Sequence, residues 1–353
     1  MLFPPGVFTR RDFYNVFSIN NLTKTESIKR LIFGFVLFPS DLSNSMERRK
    51  FYNNILHHCY QRTADDGVLF YTLSDHLVYF TLYCVLARKY SIRVLALCQM
   101  PDHVHDGIIA RRQQDFVEFR REQNARFAKM YNANAGTSGP VFESPFGSAP
   151  KLGAKKARTN IIYIANNPVE RQLVKQAEDY RWNYLAYMIT SHPFSEEIII
   201  RRASKALRNA VKTVRAQFKQ GLPLNYTLLR NMFRDLSSEE RQQLTDFIIS
   251  TYNVIDYWEA CRYFDNYLDM FNAIHATTGS EYDLNEPFLG KSDKPFANMT
   301  HIMMRECGFE DIHEILRMDN EGKWKLFDIL RKHTDVMGAQ IAKYLHLPLE
   351  KPF

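Results

Sequence analysis

The chain has 353 residues and a formal net charge of +7, with 45% hydrophobic and 14% aromatic side chains. That is ample for a sizeable core in two domains and too apolar for a disordered chain. The longest apolar runs, Leu31–Phe38 and Val78–Leu86, are too short to span a bilayer, and Met1–Pro5 lacks a signal-peptide pattern. The five cysteines are odd in number and show no Cys-x-x-Cys spacing, which excludes a zinc ribbon or a disulfide framework and fits a reducing cytoplasm. A moderately basic balance is compatible with a nucleic-acid partner without requiring one.

In chain order, Phe13–Ile19 alternates like a strand, and Leu31–Phe38 is a continuous apolar strand candidate stopped by Pro39. Ser45–Arg62 reads as a helix and Thr63–Gly67 as a turn. Ser74-Asp75 is an N-cap signal for an amphipathic helix running to about Tyr90 through Leu77, Phe80, Tyr83 and Leu86. Two apolar strands follow, Ile92–Met100 and Val104–Ala110, joined at Pro101-Asp102. Alternate residues of a strand share a face, so His103 and His105 present two imidazoles side by side while Val104 faces the buried side. Two imidazoles on a rigid strand begin a metal site, and a pair of partly exposed strand histidines is the plainer alternative. Alternation points Asp106 away from the pair; a bulge would bring it in.

A long helix, Gln114–Ala133, interleaves Phe116, Phe119, Phe127 and Met130 with Arg120, Arg121, Arg126 and Lys129. This composition suits either a phosphate track or an ordinary solvated face. The next helix, about Ala154–Asn166, is halted by Pro168. Residues four apart on a helix share a face, so Tyr163 and Asn167 point to one spot, as a buried tyrosine followed by a helix-end asparagine also would. Beyond Tyr187, Ser191–Ser195 reads as a linker and Ser195–Gln220 as a helix. On that helix Arg201, Lys205, Arg208, Lys212, Arg215 and Lys219 form one stripe opposite Ile200, Ala203, Leu207, Val211, Val214 and Phe218. Like charges at this spacing repel, so the stripe suits a polyanion, with a solvated face as the alternative. Residues 221–353 read as helical, with a loop from Asp283 to Pro295. Gly338–Leu345 has the look of the first half of a helix-turn-helix.

Three blocks in fixed order carry a family resemblance: Met100-Pro-Asp-His-Val-His105, Ser138-Gly-Pro-Val-Phe-Glu-Ser-Pro-Phe146 and Tyr163-Ile-Ala-Asn-Asn-Pro-Val169, the last continuing to Asp179-Tyr-Arg-Trp182 and Tyr187. Over about residues 74–190 the chain resembles the REP-associated tyrosine transposases, relatives of the single-strand transposases of the HUH class. The resemblance implies an α+β fold, with an antiparallel sheet flanked by helices, and the helical reading of the later residues adds a mostly α-helical C-terminal domain beyond it. It implies that His103, His105 and Asn167 hold a divalent metal, Mg²⁺ or Mn²⁺, and that Tyr163 is the nucleophile. The implied activity is cleavage and rejoining of single-stranded DNA near hairpins through a 5′-phosphotyrosine, in a cytoplasmic, nucleoid-associated monomer or homodimer. The catalytic domain would span residues 1–190 with 39–73 inserted, and 191–353 would have no counterpart in short family members. Arg120, Arg121, Arg126 and the basic stripe are the candidate nucleic-acid contacts.

The chain departs from the family pattern at Asp102, where asparagine is usual, at Asp106, where an apolar residue is usual, and at Ser144-Pro145, in place of Gly-Arg. Three other readings compete. A zinc hydrolase of the His-x-His-x-Asp-His type fails, because His105 is followed by Asp106-Gly107-Ile108. A hairpin-DNA binder that has lost catalysis and an RNA-directed role for the helical C-terminal region are the remaining two.

Overall fold

A computed structural model describes residues 50–144, 146–276 and 293–348. The strand candidates Phe13–Ile19 and Leu31–Phe38, and most of the Asp283–Pro295 loop, lie outside the described residues. The first element among the described residues is a strand, β1 (Leu56–Arg62), where the sequence suggests a helix. Its polar residues His57, His58 and Gln61 are as buried as Leu56 and Cys59. A strand covered on both faces shows no apolar–polar alternation, which is why its pattern misleads. Helix α1 (Leu73–Lys89) begins with a capping box between Thr72 and Asp75. The hairpin β2 (Arg93–Gln99) and β3 (His103–Ile109) follows, then helix α2 (Gln113–Ala135), ended by Gly136 at φ 68°. Strand β4 (Gly147–Pro150) completes a four-stranded antiparallel sheet in the order β2-β3-β1-β4. The protein is thus α+β, and β1 lies inside the sheet, so part of the segment expected as an insertion is integral to the fold.

Helix α3 (Ala154–Glu170) runs through Pro168 and does not stop before it. Proline removes one backbone donor, but Asn167 still accepts from the Arg171 N–H at 3.0 Å and the turn continues. The two sheet faces bury different partners. Cys59, Leu97, Val104 and Ile108 join Phe80, Tyr83, Phe116, Phe119 and Phe127 of α1 and α2 in the main core. On the other face Leu56, Leu95 and Ile109 pack with Ala157, Ile161 and Ile162 of α3. A register shift between Val94 and Ala96 lets β2 serve both.

Helices α4 (Lys205–Lys219), α5 (Tyr226–Phe233), α6 (Ser238–Tyr252), α7 (Tyr257–Cys261) and α8 (Tyr267–Ala276) follow, and α9 (Pro295–Glu306), α10 (Asn320–His333) and α11 (Gly338–Tyr344) close the described chain. The helix expected over Ser195–Gln220 starts only at Lys205, capped by the Ser204 hydroxyl, which accepts from the Leu207 N–H at 3.0 Å. Ser195 does not cap it, because its hydroxyl donates to Asp246 at 2.8 Å. The fully buried Asp246 also accepts from the Tyr187 hydroxyl at 2.7 Å and the Phe194 N–H at 3.0 Å. The Ser191–Ser195 stretch is therefore tied to α6, and Leu207, Val211 and Val214 share the main core with Leu77 and Phe80, so that core runs across residue 190. No helix among the described residues is long and apolar enough to cross a membrane.

Candidate active site

Strand alternation and a crossing helix build the site. His103 and His105 lie on the β3 face that meets α3, where a Cβ on Gly107 would stand 3.4 Å from Ile164 Cδ1 and 3.5 Å from Asn160 Oδ1. Their rings stand 4.7 Å apart at 88°. Tyr163, on α3, sets its ring 5.5 Å from both His105 and His58. Tertiary packing thus joins the first and third sequence blocks. Tyr163 is 5% exposed, and Asn167 is buried four residues further along the same helix.

The hydrogen bonds around the two histidines differ. The Asp102 carboxylate, which only accepts, takes the His103 Nδ1 proton at 2.6 Å. When the ring is neutral its lone pair then sits on Nε2, which is buried and has no hydrogen-bond partner among the described residues. Asp102 also accepts from Lys343 of α11. Burial alone would raise the Asp102 carboxyl, but His103 and then Lys343 hold it well below the usual carboxylate range. His105 Nδ1 shares a 3.0 Å hydrogen bond with His58 Nε2. Burial, then the neighbouring His103 and His58, depresses the His105 pKa far below that of a free imidazole, which favours the neutral, ligating form. Tyr60 stacks on His105 at 5.1 Å, and the Arg62 guanidinium lies 5.0 Å over the Tyr60 ring.

No group of three or more His, Cys, Asp or Glu side chains among the described residues forms a ready metal cage. The expected donors are two imidazoles and an amide, and an orphaned, buried imidazole nitrogen backed by a carboxylate fits such a cation. Imidazoles suit transition metals, and an amide oxygen suits Mg²⁺ or Mn²⁺.

The opposite face of β3 carries the main correction. Asp106 points away from the histidines, as alternation predicts, and forms a buried ion pair with Arg120. The Tyr83 hydroxyl donates to the same carboxylate at 2.5 Å, and Arg120 lies over the Phe119 ring at 5.1 Å. Arg120 is therefore buried in the core, away from the surface position expected of a nucleic-acid contact: a buried guanidinium needs an anionic partner, and Asp106 is it. Arg121 is exposed and pairs with Glu118, and Arg126 pairs with Glu122 at 3.0 Å. Of the basic stripe, Arg201 precedes the helix; Lys205, Lys212, Arg215 and Lys219 are exposed on α4. Arg208 is half-buried and donates to the Ala203 carbonyl at 2.6 Å, and Arg215 lies 5.4 Å over the Phe247 ring.

Two tyrosines in the continuation of the third sequence block, Tyr180 and Tyr187, are committed elsewhere. The Tyr180 hydroxyl donates to the Gln99 carbonyl at 2.8 Å and that of Tyr187 to Asp246. Sequence reading misses His58, Tyr60 and Lys343. The first two sit in the stretch that looks helical, and Lys343 is 241 residues from its partner, beyond any local pattern.

No family model and no curated protein matches the chain. Among solved structures it is similar to a REP-associated tyrosine transposase bound to a REP hairpin, at 18% identity and a TM-score of 0.35, over 39% of this chain and 81% of that one.

Proposed function

We propose that the chain is a metal-dependent strand transferase that cuts and rejoins single-stranded DNA next to hairpins. The observation that carries this reading is the convergence of Tyr163 on the His103–His105 pair, from elements far apart in sequence. In the proposed step the Tyr163 oxygen loses its proton and bonds to a backbone phosphorus. The bond from that phosphorus to the 3′ oxygen breaks, leaving a 5′-phosphotyrosine and a 3′-hydroxyl. The phosphodiester energy is kept in the new ester, so the step reverses and joins strands. A divalent cation held by His103, His105 and Asn167 would polarise the scissile phosphate and stabilise the charge that develops on it. His58, bonded to His105, orients that ring, and Asp102 does the same for His103.

A second reading, a hairpin-DNA binder without cleavage, is favoured by the burial of the site: Tyr163 is 5% and His105 0% exposed, which leaves little surface for a phosphodiester to meet. One experiment separates the two. Labelled hairpin DNA from the flanks of the gene is incubated with the protein, with and without Mn²⁺, and resolved under denaturing conditions. A metal-dependent covalent adduct is expected, lost in Tyr163→Phe with hairpin binding nearly intact. An adduct that survives in Tyr163→Phe overturns the assignment of the nucleophile. Tight hairpin binding with no adduct from the natural chain establishes the silent binder.

A further inference from the structure

We infer that Lys343, in the last helix of the described chain, is a positioning residue of the metal site, acting through Asp102 on His103. The inference rests on the metal-site reading proposed above. Its observations are independent of the nucleophile. One carboxylate is held between two donors: Oδ1 accepts from His103 Nδ1 at 2.6 Å, and Oδ2 accepts from Lys343 Nζ. Asp102 and His103 are buried, and the Lys343 side chain is only 12% exposed. With both its oxygens engaged, the carboxylate fixes the His103 ring, whose buried Nε2 has no hydrogen-bond partner among the described residues.

The position of Lys343 is itself built in. Helix α11 buries Ile341, Ala342 and Tyr344 in a third core with Val68, just ahead of α1. The Tyr71 hydroxyl donates to the Tyr344 carbonyl at 2.5 Å. The Leu69 and Phe70 N–H groups donate to the Pro101 carbonyl at 2.7 and 2.9 Å. Residues 68–71 thus strap α11 to the Pro101-Asp102 turn that opens β3. This also accounts for an aspartate where the family pattern has asparagine. An anionic residue there needs a buried cation, and the C-terminal region supplies it. That region is therefore a component of the site.

Mn²⁺ titration of the full chain, by calorimetry or electron paramagnetic resonance, tests this without DNA. Lys343→Met leaves Asp102 uncompensated and should weaken Mn²⁺ binding about 10- to 100-fold, the usual cost of losing a residue that supports a metal ligand. Asp102→Asn alone leaves the ammonium beside the cation with only the nearby Asp293 carboxyl to offset it, and should weaken binding as well. The double variant Asp102→Asn/Lys343→Met removes both charges, keeps an acceptor for His103 Nδ1–H, and should recover most of the affinity. Lys343→Arg should bind nearly as the natural chain does. Thermal unfolding is followed alongside. If Lys343→Met does not fold, the double variant decides: Mn²⁺ binding near that of the natural chain supports the role, and its loss overturns it. Unchanged Mn²⁺ affinity in a folded Lys343→Met, or a double variant no better than either single one, overturns the role of Lys343 while leaving the metal site standing. No Mn²⁺ binding by the natural chain overturns the metal-site reading and this inference with it.

Discussion

Two buried histidines, His103 in the candidate site and His313 in the 3₁₀ turn ahead of α10, both donate at Nδ1 to an aspartate, and they differ in what meets Nε2. His313 lies between Asp311 at 2.7 Å and Asp75 at 3.0 Å, with the Tyr226 hydroxyl donating to Asp75 at 2.8 Å. Both its nitrogens are spent inside the protein, and the group clamps a 3₁₀ turn (Ile312–Arg317) to the N-terminus of α1. His103 has one nitrogen on Asp102 and the other without a hydrogen-bond partner among the described residues. Desolvating a polar nitrogen without a hydrogen bond costs on the order of 1–3 kcal/mol, a cost that a cation bound at that nitrogen would offset. The same contrast separates the two aspartates of β3 and its turn. Asp106 is closed off by Arg120 and Tyr83, whereas Asp102 leads through His103 to an open valence.

The largest test of this contrast exchanges the two roles. His103→Ala or His105→Ala should abolish Mn²⁺ binding and cleavage with little loss of fold, and Asn167→Ala should be milder because water can replace an amide oxygen. His313→Ala should do the reverse, leaving Asp75 buried without its cation at a cost of about 3 kcal/mol in chemical denaturation. Equal Mn²⁺ binding in the His103 and His105 variants and the natural chain would break the comparison.

A pH series sharpens it. Burial opposes a charge on His313, but Asp75 and then Asp311 hold its pKa up at about 10, above the 6.5 of an ordinary histidine. A raised folded-state pKa means that the stabilisation is complete below about pH 6.5 and fades as pH climbs through about 10. Denaturation midpoints of the natural chain should therefore decline across that window, and His313→Gln should lack this part of the decline. A parallel decline in the variant would remove His313 from the account.

The smallest effect concerns the cations. Arg120 has its partner in the core, whereas Lys212 and Lys219 of α4 are exposed and form no ion pair among the described residues. If the α4 face tracks a strand, Lys212→Gln/Lys219→Gln should flatten the log–log salt dependence of single-strand binding by about 1.4, at roughly 0.7 per phosphate contact. An unchanged slope returns α4 to an ordinary solvated face.

Residue type and spacing alone were enough for the β2–β3 hairpin, the pairing of His103 with His105, the turn of Asp106 away from that pair, and helices α1 and α2. Each follows from periods of 2 or 3.6, which are properties of a few neighbouring residues. The same periods could not reveal β1, because burial on both faces erases its alternation, nor the true start of α4, because Asp246, fifty-one residues away, takes the Ser195 hydroxyl. Arg120 and Arg121 are adjacent and identical in type, yet one is core and one is solvated. Only the approach of α2 to the far face of β3 decides which. His58 and Lys343 reach the site the same way, across 47 and 241 residues of chain. Local pattern determined which side chains stand on a common face, whereas long-range packing decided which faces meet and which buried charges find partners there, since the desolvation that forces such pairing exists only once the core has closed.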